Sequence, residues 1–110
     1  MNIKDVKTCK DAVEFTVYKY STVARRRELM GDCGFCKITD LLGSLPCCDC
    51  PVHAGISNCD VFWNRYLSRP RVHEIFTAVR AKVNVFSARN IRAALIKELK
   101  PKEREKFIDS

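Results

Sequence analysis

Six of the seven cysteines lie in one short segment, Cys33 to Cys59, which limits the possible folds more than any other feature. The order there is Cys33-x2-Cys36, ten residues, Cys47-x2-Cys50, then eight residues to Cys59. A two-residue spacer turns the chain back, so that both thiolates of a pair reach one tetrahedral zinc ion. The spacing therefore predicts a metal site with Cys33, Cys36, Cys47 and Cys50 as ligands and leaves Cys48, Cys59 and His53 as surplus candidates.

The residues around these cysteines are those of a loop. All four glycines and two of the four prolines fall within residues 31–59. A stretch this long without regular structure is unusual in a compact domain unless something else holds it together. Composition thus gives a second, independent argument for a metal-binding loop over 31–59.

Zinc competes with three other interpretations of the cluster. An iron–sulfur cluster is the alternative cofactor, because Cys50-Pro51 matches the ligand–proline pair of bacterial ferredoxins, although their dense cysteine run is absent. Disulfides would leave one of seven thiols over, and the N-terminus lacks the apolar core of a signal peptide, which favours the reducing cytoplasm. The third interpretation is that these cysteines are packing residues that bind no metal. As a nucleophile, Cys48 or Cys59 with His53 would lack an orienting third group, so we expect no enzyme.

Helical patterns flank the loop on both sides. Asp11, with Glu14 three residues later, starts a predicted helix over 11–30 that Gly31 would stop. After the loop, residues 60–110 form a predicted basic helical segment, which opens with a short helix capped by Asp60. The fold class expected is mostly α, a small helical domain with an inserted cysteine-rich metal-binding loop. At this length we expect one domain over 1–110.

Two further helices follow from a change of apolar face after Phe86. One stripe runs from Val72 to Phe86, and a second, from Ile91 to Leu99, is rotated from it by roughly 130°. One straight helix cannot bury both stripes, and Ser87 can cap a new one. We therefore predict helices over about 71–86 and 88–99, then a charged helix opened by Pro101.

The net charge of +7 favours anionic partners, and its distribution matters more than its size. Residues 38–64 contain no lysine or arginine, whereas residues 65–97 contain eight and a single acidic residue. The basic helices are therefore candidates for tracking a nucleic-acid backbone. The candidate residues are Arg25, Arg26, Arg27, Arg71, Lys82 and Arg89.

Residues 17–67 resemble a set of short bacteriophage proteins. The residues that carry the resemblance are, in order, Val17-Tyr18-Lys19-Tyr20, Cys33, Cys36, Cys47, Cys50-Pro51-Val52, Gly55, Cys59 and Phe62-Trp63. The resemblance implies a phage or prophage origin and adds Cys59 as a metal ligand, but it implies no activity. The function expected is that of a small zinc-stabilised phage accessory protein in the host cytoplasm, away from any membrane, which binds and modulates a host protein. Nucleic-acid binding by the basic C-terminal helices is the alternative. The aromatic residues Phe62, Trp63 and Tyr66 are the candidates for the host-protein contact.

Overall fold

The described part of the chain is helical. The computed structural model describes residues 1–35, 37 and 67–109, with side chains as far as Glu105. These residues form a 3-10 turn at Ile3–Asp5 and helices α1 (Cys9–Lys19), α2 (Val23–Glu28), α3 (Arg69–Lys82), α4 (Ala88–Glu98) and α5 (Pro101–Asp109), with no strand among them. The mostly α fold is therefore confirmed for this part. None of its helices is both long and apolar enough to cross a membrane.

The core is built on α3, as its apolar stripe predicts. Val72, Ile75, Phe76 and Val79 recur at helical spacing and are all buried. Helix α3 packs against both α1 and α4. The buried partners on the other elements are Val6, Ala12, Val13, Phe15, Val17, Tyr20, Phe35, Ile91, Leu95 and Leu99.

The prediction of one helix over 11–30 is wrong, because the helix is interrupted at Ser21 and Thr22. The Ser21 hydroxyl donates to the carbonyl of Tyr18 at 2.6 Å, and the Thr22 hydroxyl accepts from the N–H of Arg25 at 3.0 Å. Serine and threonine side chains compete with the backbone for hydrogen bonds in this way, and so they end one helix and cap the next. Gly31 lies beyond α2, where the backbone takes a positive φ of 95°.

The start of α1 also differs from the prediction. Thr8 is the N-cap, and its side chain accepts from the N–H of Asp11 at 3.1 Å. The Asp11 carboxylate accepts in return from the N–H of Thr8 at 3.2 Å. Asp11 is thus the third residue of a capping box rather than the cap, and the helix begins at Cys9.

Helices α3 and α4 follow the prediction more closely. Ser68 caps α3 and Pro70 is accommodated in its first turn, so α3 begins at Arg69 and ends at Lys82, before Val83 takes an extended conformation. Val83 and Phe86 still pack against the core from the connection to α4. Ser87 caps α4 as predicted, accepting from the N–H of Asn90 at 3.1 Å, and Pro101 opens α5 as predicted.

Arg69 joins two helix ends that are far apart in sequence. One guanidinium nitrogen donates to the carbonyls of Tyr20 at 3.1 Å and Ser21 at 3.0 Å. These carbonyls follow the last turn of α1, where the helix dipole favours a cation. The start of α3 is therefore fastened to the end of α1.

Arg71 holds α5 and the end of α4 against α3. Its guanidinium donates to both carboxylate oxygens of Glu103, at 2.9 and 2.7 Å, and to the carbonyl of Glu98 at 3.0 Å. It also pairs with Glu74 on its own helix. The hydrogen bonds from Arg71 lower the pKa of Glu103. Both side chains of the Arg71–Glu103 pair are only 17% exposed, so solvent screens it weakly.

Glu103→Gln should therefore destabilise the fold by about 2 kcal/mol, because two charge-assisted hydrogen bonds are weakened. The folded pKa of Glu103 is lowered, so its contribution is complete above the unfolded value of about 4.3 and is lost as the pH falls through the folded value. Urea unfolding at pH 7 and at pH 3 should show a variant-to-wild-type difference at pH 7 that shrinks at pH 3. Glu105→Gln, at an exposed position of the same helix, is the control and should have little effect. A difference equally large at pH 3 would contradict the ion-pair account.

Candidate functional site

Helix α4 exposes a basic face. At 100° per residue, Arg89, Arg92, Ala93 and Lys97 fall within an arc of about 140°. Ile96 lies in the same arc, between Arg92 and Arg89, and is partly buried against the core. Arg89, Ala93 and Lys97 are exposed and Arg92 is half-buried. The buried residues of the helix, Ile91 and Leu95, lie towards the core. We call Arg89, Arg92, Ala93 and Lys97 the basic face of α4.

The acidic residue of α4 does not offset this face. Glu98 lies at the opposite side of the helix and accepts from the Lys82 ammonium at 2.5 Å. Arg89 and Lys97 form no ion pair with any other described residue. Their charges are therefore available to an external anion.

Two of the predicted nucleic-acid residues have internal partners instead. Arg71 is bound by Glu103, Glu74 and the carbonyl of Glu98, and Lys82 is bound by Glu98. Breaking those pairs to contact phosphate would expose carboxylates that repel it. Arg71, Lys82 and Arg89 also do not share one helix, because α3 ends at Lys82 and α4 begins at Ala88. Of the three, Arg89 alone is on the basic face of α4.

The triple arginine belongs to a different helix layer. Arg25, Arg26 and Arg27 lie on α2, which packs against α1, whereas α4 packs against α3. Arg25 donates to the Ser21 hydroxyl at 3.0 Å and stacks over the Tyr18 ring at 4.5 Å. Arg27 is exposed. No described contact joins these residues to Arg89.

A cleft of about 500 Å³ runs beside the basic face. The residues from Lys82 to Val85 form one wall, and the α4 residues Asn90, Ala93 and Lys97 form the other. Asn90 fixes the shape of the cleft by donating its side-chain amide to the carbonyl of Val85 at 2.9 Å. The cleft thus combines apolar walls with amide and ammonium groups.

The start of the cysteine segment is seated on the core. A Cβ on Gly34 would lie 3.1 Å from the Cα of Ala12 and 3.3 Å from its carbonyl oxygen. Phe35 is buried, with its ring 6.1 Å from that of Phe76. The N–H of Lys37 donates to the carbonyl of Cys33 at 3.1 Å, which forms a helical turn inside the predicted loop. Gly34 is therefore required for close packing on α1 and not for a left-handed turn.

A buried lysine orients the chain just before Cys33. The Lys19 side chain is only 2% exposed, and its ammonium donates to the carbonyl of Asp32 at 2.8 Å. It also lies 5.6 Å from the centre of the Tyr20 ring. Burying a charge is unfavourable unless it is hydrogen-bonded, so Lys19 and the Asp32 carbonyl are held together. The end of α1 thereby fixes the entry to the cysteine segment.

The proposed metal ligands are only partly described. Cys33 is described and half-buried, whereas Cys36, Cys47, Cys50 and Cys59 lie outside the described residues. Burial raises the pKa of the Cys9 thiol. Within residues 1–35, 37 and 67–105, no three His, Cys, Asp or Glu side chains are grouped so as to hold a metal.

The aromatic candidates Phe62, Trp63 and Tyr66, the surplus residues Cys48 and His53, and the predicted helix after Asp60 also lie outside the described residues.

Comparison with protein-family models, with curated proteins and with solved structures finds no match. The resemblance to the phage proteins therefore stays a prediction.

Sequence reasoning did not select Arg92, Lys97 or Lys19 as site residues. The signal for the first two was present, because basic and small residues at 89, 92, 93 and 97 alternate with apolar residues at 91, 95 and 99. Lys19 has no such signal, since it follows Val17 and Tyr18 in a pattern that could equally leave it exposed.

The Gly34 contact gives a test that separates close packing from backbone conformation. Gly34→Ala should destabilise the fold by about 1–3 kcal/mol, because the new methyl group meets the backbone of α1. At Gly31, where φ is +95° and nothing lies within 4 Å, the difficulty is the left-handed backbone alone. Asparagine tolerates that conformation, so Asn should be better than Ala at Gly31 and worse than Ala at Gly34. Thermal unfolding of the four variants measures the order, and the same order at both glycines would contradict the packing role.

Proposed function

We propose that this protein is a non-enzymatic nucleic-acid-binding module that uses the basic face of α4. The observation that carries the proposal is the exposure of Arg89 and Lys97 on one helix face without a carboxylate partner among the described residues. Each lysine or arginine that contacts a phosphate releases condensed counterions, which drives association. The net charge of +7 would steer the protein towards nucleic acid before contact.

The proposal includes a metal that stabilises the cysteine segment. Its support is the twin Cys-x2-Cys spacing, with zinc preferred and an iron–sulfur cluster as the alternative. Cys33 lies between Asp32, whose carbonyl accepts from Lys19, and Gly34, which packs closely on α1. Both neighbours are therefore held in place, which favours a preformed start to the ligand set. Four thiolates on one zinc ion would carry about two negative charges. The metal lobe would therefore shape the protein without touching the nucleic acid.

A second candidate function is the binding and modulation of a host protein. The observation that favours it is α2, which buries none of its residues. Val23, its first residue, is 48% exposed, and Met30, just after its end, is 55% exposed. Apolar side chains next to a triple arginine would suit an acidic protein surface. The phage resemblance and the aromatic residues Phe62, Trp63 and Tyr66 support the same candidate.

Purified protein should contain about one zinc ion per chain, measured by elemental analysis. Cys33→Ser should lower the metal content, because one thiolate ligand is lost. Cys9→Ser is the matched control and should leave the content unchanged, since Cys9 lies on α1 outside the cluster. Iron with acid-labile sulfide in place of zinc would support the cluster alternative. Protein without any bound metal would contradict the metal site.

Binding to nucleic acid should weaken steeply with salt. With two or three phosphate contacts from the basic face, the slope of log affinity against log salt is about −2 to −3. For each of its two residues that contacts phosphate, the double variant Arg89→Ala/Lys97→Ala should reduce the magnitude of the slope by about 0.9 and the affinity by about tenfold at 0.1 M salt. Fluorescence anisotropy with a labelled oligonucleotide measures both quantities.

Lys4→Ala/Lys7→Ala removes the same charge from exposed positions before α1 and serves as the control. An equal loss in both double variants would mean that net charge alone drives binding. Absence of binding at low salt would contradict the nucleic-acid proposal and leave the host-protein candidate.

A further inference from the structure

We infer that the nucleic acid bound by the basic face of α4 is double-stranded DNA, and that α4 lies in its major groove with Arg89 at the base edges. This inference rests on the proposed function and specifies its ligand. Duplex DNA, single strands and duplex RNA all carry phosphate charge, so charge alone cannot separate them. The shape and composition of the face can.

The basic face lacks the groups that bind single strands. Proteins that hold single strands stack the bases on aromatic side chains. The exposed residues of α4 are Arg89, Asn90, Ala93 and Lys97. Phe86, in the connection before the helix, is half-buried against the core. In the described part of the chain, this surface therefore offers charge and a narrow ridge but no stacking platform.

The ridge fits the major groove of B-form DNA. Helix α4 is 11 residues long, or about 16 Å, and it projects the small side chain of Ala93 from the middle of its face. The B-form major groove is about 12 Å wide and admits a helix, whereas the major groove of A-form RNA is too deep and narrow for side chains to read. A small residue at the centre lets the helix backbone approach the base edges.

The surrounding structure holds α4 rigidly in a position to enter a groove. Ile91 and Leu95 are fully buried, Lys82 pairs with Glu98, and Arg104 donates to the carbonyl of Ile96 at 3.2 Å. The preceding helix α3 packs against α4, and a five-residue connection joins the two. Helix-turn-helix proteins also pack two consecutive helices together, and their second helix enters the groove. The cleft between the connection and α4 is lined by Lys97 and Asn90 and also by Glu98, whose carboxylate is paired with Lys82.

Arg89 is placed to read bases. It is the second residue of α4 and is exposed, and the N-terminal residues of a recognition helix are those that contact base edges. An arginine guanidinium binds the O6 and N7 atoms of guanine with two hydrogen bonds. Lys97 lies two turns further on and would contact phosphate only. The two residues carry equal charge and should differ in their effect on sequence preference.

The test compares three labelled probes of the same length, about 20 nucleotides per strand, under one salt condition: duplex DNA, its single strand and duplex RNA. We expect duplex DNA to bind at least about tenfold more tightly than either other probe. Selection from randomised duplex DNA should enrich a short site that contains guanine. Arg89→Ala should abolish that preference, whereas Lys97→Ala should weaken binding to all sequences alike. Arg89→Lys keeps the charge and loses the two-bond geometry, so it should retain affinity for random DNA and lose the preference.

Several results would overturn the inference. Equal or tighter binding of the single strand or of duplex RNA would remove the major-groove assignment while leaving the proposed function intact. Duplex binding without any enriched site in the wild-type protein would remove the base-reading role of Arg89. Failure of all three probes to bind at low salt would remove the proposed function itself, and this inference with it. Circular dichroism of each variant checks that the helices are intact.

Discussion

The burial of one stripe on α3 is the constraint on which the rest of the structure depends. Val72, Ile75, Phe76 and Val79 take their contacts from α1, from α4 and from Phe35 at the start of the cysteine segment. The start of the cysteine segment and α4, two of the parts that could act on other molecules, are thus positioned by one helix, whereas α2 packs against α1. Arg71, one residue before the stripe begins, adds the ion pair that fastens α5 to the same scaffold.

Much of this scaffold could be predicted from the sequence, because it depends on periodicity. The stripe on α3, its rotation into the second stripe of α4, the Ser87 cap and the Pro101 start are all local patterns. The helix over 11–30 failed for a local reason too, since apolar spacing continues across Ser21 and Thr22 while their hydroxyls interrupt the backbone ladder. Apolar periodicity predicts which face of a helix is buried. It does not predict where a polar side chain replaces a backbone group as a hydrogen-bond partner.

The candidate sites could be predicted less well, because they depend on contacts between distant residues. Arg71 and Lys82 have the sequence signature of surface cations, and only the fold brings Glu103 and Glu98 to them. The tight packing of Gly34 on Ala12 is likewise invisible in a motif where glycine already suits a turn. Arg89 kept its assignment because α4 turns its apolar residues inward and leaves that position outside.

The hydrogen bonds from Arg69 to the end of α1 close a loop in the chain between Ser21 and Arg69. The two residues are 48 positions apart in sequence and are held together by the Arg69 guanidinium. Closing a loop has an entropy that grows slowly with length, about 0.6 kcal/mol for each doubling. Cross-linking this loop so that its effective length is halved would therefore aid folding by only about that amount.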